Sequence, residues 1–167
     1  YFEVHHPEQL RQYHFFDIGK QHDYFDYYRN RTEIEQLARD CYLPANEILL
    51  ELIDRYKGRF KVAFSLSGSA IELLELHAPE VIHSFQVLAK TGQVEFLCEP
   101  YAHSLSSLSS DTTEFERDVK RHVQRIEELF GQTPVTFRNT SLIYSDNIGE
   151  RIARLGFRTI LTEGAKH

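Results

Sequence analysis

Residues 60–68 read Phe-Lys-Val-Ala-Phe-Ser-Leu-Ser-Gly, a short apolar run that passes directly into small polar residues and a glycine. Other strand-like runs in the chain end in polar or charged residues in the same way: residues 1–4, 94–98, 135–137 and 159–161. Where parallel strands alternate with helices, their carboxyl ends meet at one face of the sheet, and such folds keep their chemistry there. The pattern therefore predicts an α/β fold with one functional face.

Segments with helical periodicity separate these runs. Thr32 and Glu35 have the spacing of a capping box, which predicts the start of the first helix. Pro44 fits the first turn of a second helix, which we expect to end at Gly58. Further helices are predicted over residues 70–76, 79–90, 111–130 (with a capping box formed by Asp111 and Glu114) and 145–155.

The segment from residue 8 to residue 31 is longer than an ordinary connection between a strand and a helix. Its aromatic residues are Tyr13, His14, Phe15, Phe16, Tyr24, Phe25, Tyr27 and Tyr28. Because the segment follows the first strand, it favours a functional loop or a lid at the predicted face. We expect most of its rings to pack within the loop, and some of them to offer stacking surfaces for sugar rings.

The predicted order of elements is β, α, α, β, α, α, β, α, β, α, β. Long separations between successive strands require crossover connections, and crossovers give parallel pairing. Five strands do not close a (β/α) barrel, which usually needs about eight. We therefore expect a parallel-stranded, TIM-like incomplete (β/α) barrel, of which residues 1–167 form the N-terminal part as a single domain.

Composition narrows the classes of function. The 167 residues carry a formal net charge of -6, and this acidic balance argues against binding to a nucleic-acid backbone. No apolar run approaches the roughly 18 residues that a membrane-spanning helix needs. Cys41 and Cys98 do not make a disulfide framework, and we expect both to be small core residues. These features predict a cytoplasmic protein without nucleic-acid or membrane partners.

Polar residues at the predicted strand ends are the candidate site. We expect His5, Glu95, Arg138 and Ser141 to converge around one cleft. Glu99, His103 and Glu163 are expected near it. A carboxylate such as Glu95 within an apolar strand is costly unless it is paired or used.

The spacing of residues along the chain disfavours a metal site and a serine-hydrolase nucleophile. The chain has no His-x-His or His-x-x-x-His pattern and no cysteine pair, so no metal or other cofactor is predicted. Ser141 lacks the Gly-x-Ser-x-Gly frame of a hydrolase nucleophile elbow.

Several of these segments together resemble glycoside hydrolase family 57, and its α-amylase branch most closely. The matching segments are His5-His6-Pro7, residues 9–19, residues 41–46 (Cys-Tyr-Leu-Pro-Ala-Asn), residues 92–95 (Gly-Gln-Val-Glu), residues 99–105 and residues 137–144 (Phe-Arg-Asn-Thr-Ser-Leu-Ile-Tyr). The family usually has Gln where this chain has His6. The resemblance covers nearly the whole chain, and its motifs occur in the family's order.

The resemblance implies an incomplete TIM-like barrel that cleaves or transfers α-glucans with retention of configuration. Such a mechanism uses one carboxylate as nucleophile and a second as acid/base, about 5 Å apart. The family nucleophile is a glutamate, and its position is Ser141 in this chain. The family acid/base is an aspartate of a later region, which would lie beyond residue 167. A neutral hydroxyl needs a base to activate it and cannot stabilise an oxocarbenium ion by charge.

Three hypotheses follow. In the first, the protein keeps the fold and binds α-glucans or oligosaccharides without efficient hydrolysis. In the second, it is an active retaining α-glucan hydrolase or 4-α-glucanotransferase, in which either Ser141 is an engineered substitution or another carboxylate such as Glu99 or Glu163 serves in the reaction. In the third, it is a metal-dependent polysaccharide deacetylase, since related barrels place His and Asp ligands at the same face.

Overall fold

The computed structural model describes residues 1–20 and 22–164. The strands are β1 (Phe2–Val4), β2 (Val62–Leu66), β3 (Val94–Leu97), β4 (Thr136–Arg138) and β5 (Thr159–Leu161). The α-helices are α1 (Tyr27–Leu37), α2 (Leu43–Tyr56), α3 (Gly68–His77), α4 (Pro79–Lys90), α5 (Thr113–Phe130) and α6 (Asp146–Arg154). Short 3₁₀ turns cover Phe15–Asp17, Ser106–Leu108 and Thr140–Leu142.

All the strands pair in parallel, and their order in space follows their order in the chain. β1, β2 and β3 form one ladder, and β4 and β5 form a second. A parallel bridge between Cys98 and Phe137 joins the two ladders, with the Cys98 amide donating to Thr136 and the Arg138 amide donating to Cys98. A sheet that is wound in one direction in this way is typical of a (β/α) barrel, so the predicted architecture is confirmed.

The outer face of the sheet carries the apolar core. Side chains that alternate along β2 and β3, such as Phe64 and Phe96, pack with Phe85 of α4 and Phe130 of α5. Around β4 a second cluster joins Phe137 to α5 and α6. The largest part of the hydrophobic stabilisation therefore comes from helices packed on one side of the sheet.

The opposite, inner face is polar, because successive side chains of a strand point to opposite sides. Glu3, Ser65 and Arg138 alternate with buried outward-facing neighbours on three different strands. Ser65 Oγ is buried and has no hydrogen-bond partner among the described residues. The inner face is consequently the place where polar chemistry concentrates.

The predicted helix ends are right in some places and wrong in others. Pro44 lies in the first turn of α2, Ser145 caps α6 by accepting from the Ile148 amide, and Gly131 ends α5 in the left-handed conformation. The helix predicted to open at Thr32 begins instead at Tyr27, since the Asp26 side chain caps it by accepting from the Arg29 amide. No helix within the described ranges is both long enough and apolar enough to cross a bilayer.

A second predicted capping box also differs from the structure. Asp111 accepts from the Thr113 amide, but Glu114 pairs with Arg117 on the surface of α5 instead of reaching back to the helix start. The predicted burial of the aromatic residues between 8 and 31 is wrong for most of them, because Phe15, Phe16, Tyr24, Tyr27 and Tyr28 are exposed. Cys98 is buried as expected, whereas Cys41 is exposed.

The connection from β2 to α3 depends on a close approach between backbone and ring. A Cβ at Gly68 would lie 2.4 Å from the ring of Tyr101. That ring is held in place, since its hydroxyl donates to Glu72 at 2.7 Å and the Arg121 guanidinium lies 3.6 Å from its centroid. Burial of Tyr101, together with the hydrogen bond to Glu72, raises its pKa to about 12.

The substitution Gly68→Ala is predicted to destabilise the full-length protein by about 1–3 kcal/mol, because the braced ring cannot move aside. Urea denaturation checks this value. Gly164→Ala is the matched control, since a Cβ there meets nothing within 4 Å. Equal unfolding midpoints for both variants would contradict the proposed close packing.

Candidate functional site

A cluster of charged and polar side chains occupies the inner face at the carboxyl ends of β1 to β4. Its members are Glu3, His5, Ser67, Glu99, His103 and Arg138. Each comes from a strand or from the residues that directly follow one. The predicted meeting of strand ends therefore places these six side chains at one edge of the sheet.

Arg138 joins the two carboxylates of this cluster. Its Nη1 donates to Glu99 Oε2 at 2.8 Å, and its Nη2 donates to Glu3 Oε2 at 2.7 Å. Glu99 is 0% exposed and Arg138 is 3% exposed, so the pair is removed from water. Buried charges of this kind remain stable only when they are paired and hydrogen-bonded.

Two histidines form the wall of the cluster. The rings of His5 and His103 stack at 4.0 Å with an angle of 19° between their planes. His5 Nδ1 lies 2.8 Å from Ser67 Oγ, and His103 Nδ1 lies 3.3 Å from Glu99 Oε2. Burial, and then the proximity of His103, lowers the pKa of His5. The unprotonated form of His5 is thereby favoured.

The ionisation of Glu99 is decided by opposing effects. Burial works against its charge, but the hydrogen bond from His103 and the positive charge of Arg138 outweigh burial, so the pKa of Glu99 is lowered. Glu99 Oε1 and Arg138 Nε are buried without partners among the described residues. Glu99 is therefore an ionised acceptor with one oxygen unused, and it is a poor proton donor at neutral pH.

His122 fixes the backbone on which the cluster is built. It is fully buried on α5, its Nε2 lies 2.7 Å from the Leu66 carbonyl oxygen, and the Glu99 amide donates to its Nδ1 at 3.5 Å. Because Nδ1 accepts this hydrogen bond, Nε2 carries the hydrogen of the neutral ring and donates to the Leu66 carbonyl. Burial lowers the pKa of His122. A neutral imidazole thus ties the ends of β2 and β3 together.

Ser141 lies in the 3₁₀ turn directly after β4, at the same edge of the sheet. It is exposed, and its backbone is left-handed, with φ 53° and ψ 23°. Thr140 Oγ1 donates to the Ser104 carbonyl, and Asn139 Nδ2 donates to the Ile143 carbonyl and to Ser107 Oγ. Neighbouring hydrogen bonds therefore impose a conformation that is unfavourable for a serine. Within residues 1–20 and 22–164, no hydrogen bond to Ser141 Oγ is present.

The structure does not bring every predicted site residue to the cluster. Glu95 precedes Glu99 by four residues, which is about 13 Å along an extended strand. Its Oε1 accepts from Thr136 Oγ1 at 2.6 Å, and it lines a groove with Tyr1, Lys61 and Gln132 at the amino edge of the sheet. The expected convergence of Glu95 with Ser141 is therefore not seen, because Glu95 belongs to a lower layer of the inner face.

Glu163 lies two residues beyond β5 and is exposed. No ion pair to its carboxylate is found in the described part of the chain. Its participation in the site stays a prediction.

Sequence reasoning missed Glu3 and His122 as site residues. Glu3 alternates with the apolar residues Phe2 and Val4, and that alternation is the signal that it faces inward. His122 lies one helical turn from Val119 and Ile126, so it falls on the buried stripe of α5. A histidine on an apolar stripe could have been identified as a buried hydrogen-bonding group.

The described side chains of the site do not form a set of metal ligands. Among residues 1–20 and 22–164, no three His, Cys, Asp or Glu side chains are placed to hold an ion. The two carboxylates nearest to each other are both bound by Arg138, whose positive charge stands where a cation would have to bind. These residues do not fit a metal in the arrangement observed.

Comparison with known sequences identifies a family. Residues 1–167 match the sequence profile of glycosyl hydrolase family 57. A protein of Methanocaldococcus jannaschii described as "Putative alpha-amylase" is 39% identical over 168 residues, which cover 98% of this chain and 35% of that protein. The chain thus spans about a third of the length of this curated relative.

Comparison with solved structures supports the fold alone, since the identities are low. The 4-alpha-glucanotransferase of Thermococcus litoralis superposes with a TM-score of 0.66 and 18% identity, covering 77% of this chain and 19% of that one. A family 4 carbohydrate esterase of Streptomyces lividans gives a TM-score of 0.50 and 15% identity, covering 68% of this chain and 54% of that one.

Removal of the Arg138 guanidinium is predicted to lower the free energy of unfolding. The substitution Arg138→Met leaves Glu99 buried and without its guanidinium, and we expect a loss of about 3–5 kcal/mol in the free energy of unfolding. Urea denaturation of the full-length protein at pH 7 measures it. Arg154→Met, which breaks an exposed pair with Glu150 on α6, should leave the midpoint unchanged. A similar small effect at both positions would show that the bridge does not hold the site.

The lowered pKa values of His5 and His122 predict a pH dependence of stability. Between the folded pKa and the unfolded value of about 6.5, the unfolded chain binds more protons than the folded one. The free energy of unfolding should therefore decrease as the pH falls below about 6.5, and Glu99 should add a further decrease below its ordinary carboxyl range.

The variant His122→Gln tests this assignment, because it removes one of the two histidines. Urea unfolding at several pH values from 7 to 5 should give a smaller slope for His122→Gln than for the unsubstituted protein. His83→Gln, at an exposed position on α4, should retain the original slope. Parallel slopes for all three proteins would remove His122 as a source of the pH dependence.

Proposed function

The chain belongs to glycosyl hydrolase family 57, and from this we propose that it is the N-terminal part of a single α-amylase-type barrel that binds α-glucans without efficient hydrolysis. The site is the cluster at the carboxyl edge together with Ser141. We propose α-glucans as the ligand class because the relatives' names are those of an alpha-amylase and a 4-alpha-glucanotransferase.

The observation that carries the proposal is an exposed, neutral hydroxyl at Ser141. The family resemblance assigns this position to the nucleophilic glutamate. Retaining hydrolysis needs a carboxylate there, to form the glycosyl intermediate and to balance the charge of the oxocarbenium-like transition state. Ser141 has no base within hydrogen-bond distance among the described residues, so its hydroxyl lacks the activation that a serine nucleophile requires.

Glu99 does not replace the missing nucleophile. It is fully buried, it is bound by Arg138 and His103, and a lowered pKa keeps it ionised. A buried carboxylate that is already paired cannot approach the anomeric carbon of a sugar without breaking those bonds. Its role in the cluster is therefore to hold Arg138 and His103 in place.

The charges of the cluster suit a neutral, hydroxyl-rich ligand. Two carboxylates, Glu3 and Glu99, face one guanidinium, Arg138, which leaves an excess of acceptors and negative charge. Anionic ligands would be repelled, whereas sugar hydroxyls can donate to such groups. The protein as a whole is also negatively charged, with a formal net charge of -6.

Active hydrolysis or glucan transfer is the second candidate, and one observation favours it. Glu163 follows β5, is exposed, and has no ion pair with any of residues 1–20 and 22–164 that would restrain it. In this alternative, Glu163 would supply a carboxylate at the edge of the sheet. The deacetylase alternative receives no comparable support, because the described residues offer no three-ligand metal set.

Turnover assays on the full-length protein decide between binding and hydrolysis. We expect binding of maltoheptaose in calorimetry, with no increase in reducing ends from starch, glycogen or maltooligosaccharides. The substitution Ser141→Glu should produce measurable hydrolysis, since it restores a carboxylate on a turn that is already held by Thr140 and Asn139. Ser141→Gln is the matched control, because it has nearly the same size without the charge, and it should remain inactive.

Hydrolysis by the unsubstituted protein at an ordinary glycosidase rate of about 1 s⁻¹ or more would contradict the proposal. Glu163→Gln would then show whether the second candidate is correct, since loss of that activity would assign the carboxylate. If deacetylation were observed instead, dialysis against a chelator would test its dependence on metal.

A further inference from the structure

Two neighbouring phenylalanines are exposed to solvent on the loop that follows β1. Phe15 is 79% exposed and Phe16 is 78% exposed. Their rings meet edge to face, with centroids 5.7 Å apart and planes at 83°. Single exposed apolar residues are ordinary in proteins, but adjacent large rings with most of their surface in water indicate a binding surface.

The turn that carries these rings is braced by hydrogen bonds. The Asp17 carboxylate accepts from the His14 amide at 3.0 Å, and the Asp17 amide donates to the His14 carbonyl at 2.9 Å. The Tyr13 hydroxyl donates to the Asp17 carbonyl at 2.9 Å, and the Tyr13 ring packs against Tyr24. The rings are thus presented by a preorganised turn, which reduces the entropy lost when a ligand binds.

The base of the same loop follows the candidate-site residue His5 in the chain and is fixed to α1. The loop leaves β1 directly after His5, and Asn30 of α1 accepts from the Gln9 amide at 2.7 Å. A bridge between Leu10 and Phe25 pairs the two sides of the loop. The Phe15–Phe16 turn therefore extends from the carboxyl edge of the sheet, which also carries Ser141.

We propose that Phe15 and Phe16 form a stacking platform for α-linked glucose rings, outside the charged cluster, and this inference rests on the proposed function. The two faces of a glucose ring include apolar C–H surface that packs on aromatic rings, and Phe15 and Phe16 offer exposed aromatic surface. Its role is to hold a longer glucan chain that extends beyond the cluster.

The size of the surface favours a sugar over a protein partner. Two phenylalanine rings bury about 300–500 Å² at most. A stable protein interface buries about 800 Å² on each partner. Ile18, which follows the turn, is also exposed and adds the area of one aliphatic side chain. The exposed rings of Tyr27 and Tyr28 lie on α1 and do not belong to the turn.

The test compares ligands of different length on the full-length protein. Affinities for maltotriose and for soluble amylose are measured by calorimetry for the unsubstituted protein and for Phe15→Ala, Phe16→Ala and the double variant. Each single variant should bind amylose about fivefold more weakly, and the double variant about 30-fold more weakly. Maltotriose, the short ligand, is expected to bind at the charged cluster and therefore to bind all the proteins equally.

The aromatic control is Tyr56→Ala. Tyr56 is 43% exposed at the end of α2, which leads to the amino end of β2 on the opposite edge of the sheet. Its removal should leave both affinities unchanged. Urea midpoints of the full-length variants should also be unchanged, because exposed rings contribute little to folding.

Each other result would overturn the inference. Unchanged amylose binding by the double variant would remove the platform while leaving the proposed function intact. A lowered urea midpoint for both Phe variants would show that the rings are buried against another part of the protein. Absence of any α-glucan binding by the unsubstituted protein would overturn the proposed function together with the platform.

Discussion

The rest of the site depends on the two ion pairs that the guanidinium of Arg138 forms. The guanidinium binds Glu99 at the end of β3 and Glu3 on β1, so it connects the fourth strand to the first across the inner face. Neighbouring strands lie roughly 4.8 Å apart. The strands β2 and β3 lie between β4, which carries Arg138, and β1, which carries Glu3. A bridge of this kind requires the sheet to curve inward, as the wall of a barrel does. Without the guanidinium, the fully buried carboxylate of Glu99 would lose its cationic partner.

This constraint also sets the chemistry of the site. Because the hydrogen bond from His103 and the charge of Arg138 stabilise its carboxylate, Glu99 remains an ionised acceptor, and its Oε1 has no partner among the described residues. The stacked pair of His5 and His103 closes one side of the cluster and excludes water from it. The cluster is therefore a set of hydrogen-bonding groups whose charged side chains are held by ion pairs. Under the proposed function, this set orients a neutral ligand.

The turn after β4 holds residue 141 in a defined backbone conformation at the edge of the sheet. Ser141 retains a left-handed backbone that is imposed by the bonds of Asn139 and Thr140 to neighbouring segments. That geometry would present any side chain at residue 141 to solvent at the edge of the sheet. Under the proposed function, the scaffold of the nucleophile persists while the charge is absent, so binding and catalysis have become separable properties of the same barrel.

The sequence by itself determined the strand order, most of the helices and the edge that carries the site. Strand alternation, the spacing between strands and the positions of Pro44, Gly131 and Ser145 are local signals, and they identified these features because local geometry follows from neighbouring residues. The family motifs likewise located Glu99, His103 and Arg138. Local signals did not show that Asp26 caps α1, because the choice between Asp26 and Thr32 depends on the path of the preceding loop.

Only the tertiary structure decided which of the polar residues meet. The bridge from Arg138 to Glu3 joins residues that are far apart in the chain, and no local pattern encodes their distance. The same is true of His122, whose partners lie on two strands, and of Phe15 and Phe16, whose exposure depends on what packs against the loop. Glu95 shows the converse. Its place in a family motif suggested that it belongs to the site, but the strand register places it one layer lower on the inner face of the sheet. The physical reason is that periodicity fixes the direction of a side chain, whereas its partners are fixed by the curvature and register of the whole sheet.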